Sequence, residues 1–204
     1  MKEWARACLC RLYYAYLKLL EKTVRLDVEL PIGLERGAII GFWHEDSYIM
    51  NLLLKKFSVE QEISAVVTSD GRGDYIEYLL KRCHGKAIRL PDGNKCRKFM
   101  EDLTDTAKDS GKTLALALDG PLGPRRIPKT LAFYLSETGK KDFIAVKVDY
   151  SKSVSLSKRW DHYKIPLPFT TVSVTMDHYG VTGRKNIPRL DIRQRQGDRA
   201  PLFT

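Results

Sequence analysis

The feature that most constrains this chain is an alternation of short apolar segments with helix-periodic ones. The strand-like runs are Ala38–Trp43, Ile63–Thr68, Lys86–Leu90, Thr113–Leu118, Phe143–Val148 and Thr171–Met176. Between them, Asp74–Cys83, Lys95–Ser110 and Thr130–Thr138 carry helical periodicity, and Gly111 and Gly139 stand where such helices end. Strand and helix in turn predict an α/β fold: a single domain with a mixed, mostly parallel sheet flanked by helices. With 204 residues, 43% of them hydrophobic, the chain can bury one full core and needs no second domain.

Ahead of that pattern, residues 4–26 lack Pro and Gly and are rich in Leu, Tyr and Ala, which favours a helix. On a wheel of about 100° per residue, Arg11, Lys18, Lys22 and Arg25 share a narrow arc. Leu9, Leu12, Tyr13, Tyr16, Leu19 and Leu20 take the opposite side, with Trp4 and Arg6 off the pattern. A basic amphipathic helix can lie in a membrane interface, or it can pack its apolar side on the domain's own core. The expected organisation is this helix at 1–30, an α/β domain at 31–177 and a basic tail at 178–204. The tail carries Arg184, Lys185, Arg189, Arg193, Arg195 and Arg199 with few apolar residues.

Lys and Arg number 35 against 25 Asp and Glu, a formal net charge of +10, so an acidic partner is expected. An anionic membrane surface and phosphorylated metabolites qualify. Nucleic acid qualifies on charge alone, but against it no nucleic-acid motif is present and the basic residues are spread over helix, loop and tail. Cys8, Cys10, Cys83 and Cys96 include no CxxC pair, so no zinc site is expected, and free thiols in a reducing cytoplasm fit better. No apolar run reaches the roughly 18 residues of a membrane span, and no cleavage site follows an apolar N-terminal run. The protein is expected to be neither integral nor secreted by a cleaved signal.

In an open α/β sheet, ligands bind beyond the carboxyl ends of the strands. Three expected strands end in chemically able residues. Ile39–Trp43 releases into His44-Glu45-Asp46, and Val66–Thr68 runs into Ser69-Asp70-Gly71-Arg72-Gly73-Asp74. Thr113–Leu118 leads into Asp119-Gly120-Pro121-Leu122-Gly123-Pro124-Arg125-Arg126. In this last loop Gly120 and Gly123 free the backbone while Pro121 and Pro124 stiffen it, a bracket for one carboxylate and two guanidiniums. Guanidiniums grip phosphate or carboxylate in a fork, so the loop is a candidate anion site; a surface turn with solvated arginines is the plainer alternative. If the strands are parallel neighbours, His44, Asp70, Asp119 and the arginines converge. Histidine is the side chain best matched to general-base work near neutral pH, and an adjacent carboxylate fixes its tautomer. A histidine after a strand also serves as a simple strand terminator. The Ser69–Asp74 segment reads either as a phosphate cradle before a helix or as an Asp-Gly turn capping that helix. Asp161, within a Trp, Tyr and Pro cluster, reads as packing.

The order of these features resembles one family. Trp43-His44 after the first strand, Ser69-Asp70-Gly71 after the second, Arg89 on the third, Asp119–Arg125, and Trp160-Asp161-His162-Tyr163-Lys164-Ile165-Pro166-Leu167-Pro168-Phe169 look like the bacterial DUF374 group. That group is a branch of the lysophospholipid acyltransferase superfamily, and the resemblance covers roughly residues 38–174. It implies a role in phospholipid metabolism: transfer of an acyl group from a thioester, acyl-CoA or acyl carrier protein as cosubstrate, to a hydroxyl of a phosphorylated lipid acceptor. No cofactor or metal is implied. By resemblance His44 is the general base, with Asp46 and Glu45 as the nearest acids. Asp119 and Gly120 occupy the acceptor-binding segment, Arg125 and Arg126 hold an acceptor phosphate, and Arg89 takes the second motif's arginine, with Asp70 and Gly71 beside the acceptor. Membrane lipids are the implied partners, and the implied place is the cytoplasm, peripheral on the inner face of the plasma membrane.

The sequence also departs from that pattern. Superfamily members carry His-x-x-x-x-Asp, but the fifth residue after His44 is Ile49, and Asp70 or Asp119 from another strand end could serve instead. Leu90-Pro91 stands where Gly-Ser is common, and Phe143-Ile144-Ala145-Val146 replaces Pro-x-x-Pro-Val. The alternative from another class is a catalytically impaired lipid- or anion-binding module at the membrane surface.

Overall fold

A computed structural model of the chain describes residues 3–29, 37–57, 62–68, 71–91 and 96–190. Helix α1 (Glu3–Thr23) leads directly into strand β1 (Arg25–Glu29), followed by β2 (Ile39–Phe42), a 3₁₀ turn at His44–Asp46 and α2 (Ser47–Phe57). Then come β3 (Glu62–Thr68), α3 (Gly71–Arg82), β4 (Lys86–Leu90), α4 (Cys96–Lys108), β5 (Lys112–Ala117) and α5 (Leu131–Gly139). The chain continues through β6 (Phe143–Tyr150), the short strands β7 (Ser153–Ser155) and β8 (Lys164–Pro166), and β9 (Thr171–His178).

The main sheet has seven strands in the order β1-β9-β6-β2-β5-β3-β4. Every neighbouring pair is parallel except β6 with β9, where Val146 faces Met176 and Val148 faces Val174 in antiparallel register. The sheet is thus mixed and mostly parallel, as the alternation predicts. Both of its faces are covered. Along β2, β5 and β6 successive side chains go to opposite sides: Ile40, Ala115, Ile144 and Val146 pack with Leu17 and Leu20 of α1, Leu53 of α2 and Leu80 of α3. Ile39, Leu114, Leu116, Phe143 and Ala145 pack with Leu103 of α4 and Phe133 of α5.

Three elements differ from the sequence expectation. Helix α1 ends at Thr23, so Arg25 does not join its basic arc; residues 25–29 form an edge strand paired with β9 from Arg25–Thr171 to Glu29–Thr175. Helix α2 is a new element. Its Tyr48, Ile49, Met50, Leu52, Leu53 and Leu54 are all buried, and such a short apolar run is not told from a buried strand by its period. Residues 153–166 form a two-stranded arm, β7 with β8 antiparallel.

Helix α1 packs on the domain through its tyrosines. Tyr13 stacks on Tyr75 of α3 at 5.9 Å, and Tyr16 donates its hydroxyl to the Pro166 carbonyl at 2.7 Å. Tyr48 of α2 donates its own to the Tyr13 carbonyl. Its outward side keeps Trp4, Leu12 and Leu19 in solvent beside Arg11 and Lys22. No helix among the described residues is long and apolar enough to cross a membrane.

Candidate functional site

Strands β2, β5 and β3 lie side by side and end at the same edge of the sheet, which places the loops that follow β2 and β5 together. Asp119 joins them. It is fully buried; its Oδ1 accepts the backbone N–H of His44 at 3.0 Å and its Oδ2 accepts that of Arg126 at 3.1 Å. A single carboxylate therefore pins the start of the 3₁₀ turn to the far end of its own loop. The Leu118 N–H to the Phe42 carbonyl, at 2.8 Å, extends the same contact one step back toward the strands.

The loop geometry depends on its glycines. Gly120 and Gly123 sit at φ of +65° and +69°, where side chains with a Cβ are strained. At Gly123 a Cβ would also stand 2.7 Å from the Trp160 ring, so the backbone there packs directly against that indole. The ring of His44 lies against the same indole, centroids 5.4 Å apart.

The two acids that follow His44 in sequence turn to other partners. Glu45, fully buried, receives Arg125 Nε at 2.6 Å, Arg126 Nη2 at 2.5 Å and Lys164 Nζ at 2.9 Å. Burial opposes its charge, but the bonds from Arg126 and Lys164 and their positive charge hold its carboxyl below the usual carboxylate range. Three cations on one carboxylate leave this corner electropositive, with Arg125 still 32% exposed. Asp46 is buried too and accepts the Tyr150 hydroxyl at 3.0 Å. Burial, with the neighbouring charge of Glu45, pushes its carboxyl up to about 7 against the pull of Lys164.

The carboxylate that faces the imidazole comes from the β7–β8 arm. Asp161 Oδ2 lies 4.0 Å from His44 Nε2. Arg159 holds Asp161 in a fork, Nε to Oδ1 at 2.9 Å and Nη2 to Oδ2 at 2.6 Å, and the Tyr163 N–H adds a third bond at 3.2 Å. Burial disfavours the charge of Asp161, yet the bonds and charge of Arg159, followed by the imidazole of His44, keep its carboxyl below the usual range.

Beside His44 opens an apolar cavity of about 230 Å³ between the sheet and helices α2 and α3. Met50, Leu54, Val67, Ile76, Leu79 and Leu80 line its body, while His44, Gly120 and Arg159 contribute to its wall.

His44, Glu45, Asp46, Asp119, Gly120, Arg125 and Arg126 are thus brought together. Arg89 is not: its guanidinium bonds Glu77 at 2.7 Å, Asp74 at 2.8 Å and the Thr68 carbonyl at 3.1 Å, stapling α3 to the sheet. Gly71 is the first residue of α3, and Asp70 lies outside the described residues. The sequence reading took Asp161 as packing and gave no role to Arg159 or Lys164. The available signal was a carboxylate between two cations in an otherwise aromatic and Pro-rich stretch. Among the described residues no group of three or more His, Cys, Asp or Glu is placed to hold a metal ion.

No protein-family model and no curated protein matches the chain. Among solved structures, the chain is similar to the crystal structure of the 1-acyl-sn-glycerophosphate (LPA) acyltransferase PlsC from Thermotoga maritima. The two share 15% identity over 87% of this chain and 72% of that one, with a TM-score of 0.48.

Proposed function

We propose that the chain is an acyltransferase of the lysophospholipid acyltransferase superfamily, in the DUF374 branch. It would move a fatty acyl group from acyl-CoA or acyl carrier protein to a hydroxyl of a lysophospholipid-like or other phosphorylated lipid. One observation carries this reading: a histidine stands where an apolar cavity meets a bank of cations. The cavity suits an acyl chain, the cations suit a phosphate, and a base is needed between them.

In this reading the acyl chain enters between α2 and α3 and brings its thioester carbonyl to His44. Arg125, Arg126 and Lys164 hold the acceptor's phosphate, with Glu45 spacing their charges. The imidazole takes the proton of the acceptor hydroxyl as its oxygen attacks the carbonyl carbon. The carbon–sulfur bond then breaks, the thiolate leaves, and the imidazolium returns the proton to it. A positioned base contributes about 10²–10⁴ in rate, and fixing two substrates side by side contributes more. Asp119 and Gly120 act by setting the loop geometry, and Arg89 by fixing α3 as a wall of the cavity. The outward face of α1, with Trp4, Leu12 and Leu19 beside Arg11 and Lys22, supports docking on the anionic inner face of the plasma membrane.

Free thiol released from acyl-CoA or acyl carrier protein in the presence of a lysolipid panel tests this directly. Release by the wild type and its loss in His44→Ala are expected. Release at the wild-type rate by His44→Ala refutes the mechanism. Vesicle binding with no release from any donor favours the lipid-binding alternative.

A further inference from the structure

We propose that Asp161 is the positioning acid of His44, delivered by the β7–β8 arm in place of a carboxylate on the helix that follows the histidine. The inference rests on His44 acting as the base described above.

Helix α2 cannot supply such an acid. Ile49, five residues beyond His44, is fully buried in the core under α1 and the sheet. Of the acids around His44, Glu45 is engaged by Arg125, Arg126 and Lys164, Asp46 accepts from Tyr150, and Asp119 accepts two backbone N–H groups. Asp161 is as buried as these three and is held by three donors from Arg159 and Tyr163, but its Oδ2 lies 4.0 Å from the ring Nε2. A movement of about 1 Å brings that pair to hydrogen-bond length, and such bonds commonly tighten only when substrate binds. Trp160, the preceding residue, supports the ring at a 5.4 Å centroid distance and carries the 119–126 loop on the same indole. One short stretch of the arm thus bounds the imidazole and supplies its acid. The pairing assigns the proton of the neutral ring to Nε2.

Nitrogen chemical shifts of the His44 ring, recorded on the wild-type protein through a pH titration with no donor present, test the pairing apart from the reaction. The Nε2–H form should predominate above the midpoint. Asp161→Asn should lower the midpoint by about one unit, the lower end of the shift an opposite charge at this range produces. Asp161→Glu should bring it back. In thiol release, Asp161→Asn should reduce kcat at least tenfold and move the acidic limb of the rate profile down with the midpoint, and Asp161→Glu should recover part of the loss. A wild-type ring protonated mainly on Nδ1, or a midpoint that Asp161→Asn leaves in place, overturns the assignment. If Asp161→Asn does not fold, the wild-type tautomer decides alone. A titration that behaves as expected in a protein that releases no thiol retains the pairing and rejects the acyltransferase reading.

Discussion

Asp119→Ala tests whether one buried carboxylate holds the site together. Asp119 accepts two backbone N–H groups, at 3.0 Å from His44 and 3.1 Å from Arg126, and exposes none of its surface. Hydrogen bonds to a charged partner contribute about 1.5–3 kcal/mol each, so losing both costs about 3–6 kcal/mol. That is a large part of the 5–15 kcal/mol that separates folded from unfolded domains. With a urea slope of about 2 kcal/mol per molar, the unfolding midpoint should fall by about 1.5–3 M. Asp119→Asn retains one acceptor but turns an NH₂ toward the second donor, so it should recover less than half of the loss. Urea unfolding followed by far-UV circular dichroism measures both. A loss below about 1 kcal/mol in Asp119→Ala, or an Asp119→Asn variant as stable as wild type, would refute the argument that this carboxylate joins the two loops.

Three other outcomes follow from the same geometry. Asp46 has its carboxyl raised by burial to about 7 in the folded protein, so the folded state binds its proton more tightly than the unfolded chain. Its contribution to stability is complete below the unfolded value near 3.8 and is lost as pH rises through about 7; Asp46→Asn, which cannot ionise, should flatten stability between pH 4 and 7 when both proteins are unfolded in urea across that range. Gly123→Ala places a Cβ against the rigid Trp160 ring at a φ of +69°, and should lower stability by at least about 2 kcal/mol and alter tryptophan fluorescence. Leu54 lines the cavity about 10 Å along α2 from Ser47, so Leu54→Trp should suppress thiol release from long-chain donors while sparing short-chain ones.

The six strands β2–β6 and β9 and the meeting of His44 with Asp119 were legible because each strand is a short apolar run ending in polar residues, and parallel order from β3 to β6 follows from the helices between them. Helix α2 was not, since Tyr48, Ile49, Met50 and Leu52–Leu54 are buried and form a short apolar run that period alone does not separate from a buried strand. Strand β1 was hidden for a different reason: Arg25-Leu26-Asp27-Val28-Glu29 follows α1 with no Gly or Pro, and five alternating residues extend a helical wheel as readily as they start a strand. The acids beside His44 misled through local geometry. In a turn of three residues per revolution, side chains one and two positions on diverge by about 120° from the first, so Glu45 and Asp46 are close in sequence and aimed elsewhere. Asp161 lies 117 residues further on, and only the folded arm brings it back. Its neighbours signalled it, as two cations around one acid, but spacing alone could not say which histidine they served.

Strand β1 also makes the first helix more than an appendage. It covers β9, whose Val172, Val174 and Met176 are buried, and it turns Arg25, Asp27 and Glu29 toward solvent along the rim of the sheet. A chain trimmed after α1 and β1 would present β9 as a bare margin, with unpaired amides and carbonyls and, over residues 171–175, no charges to repel a second copy. The N-terminal residues are therefore a guard against strand-to-strand self-association as much as a platform for the cavity, and keeping the isolated domain dispersed in solution depends on retaining them.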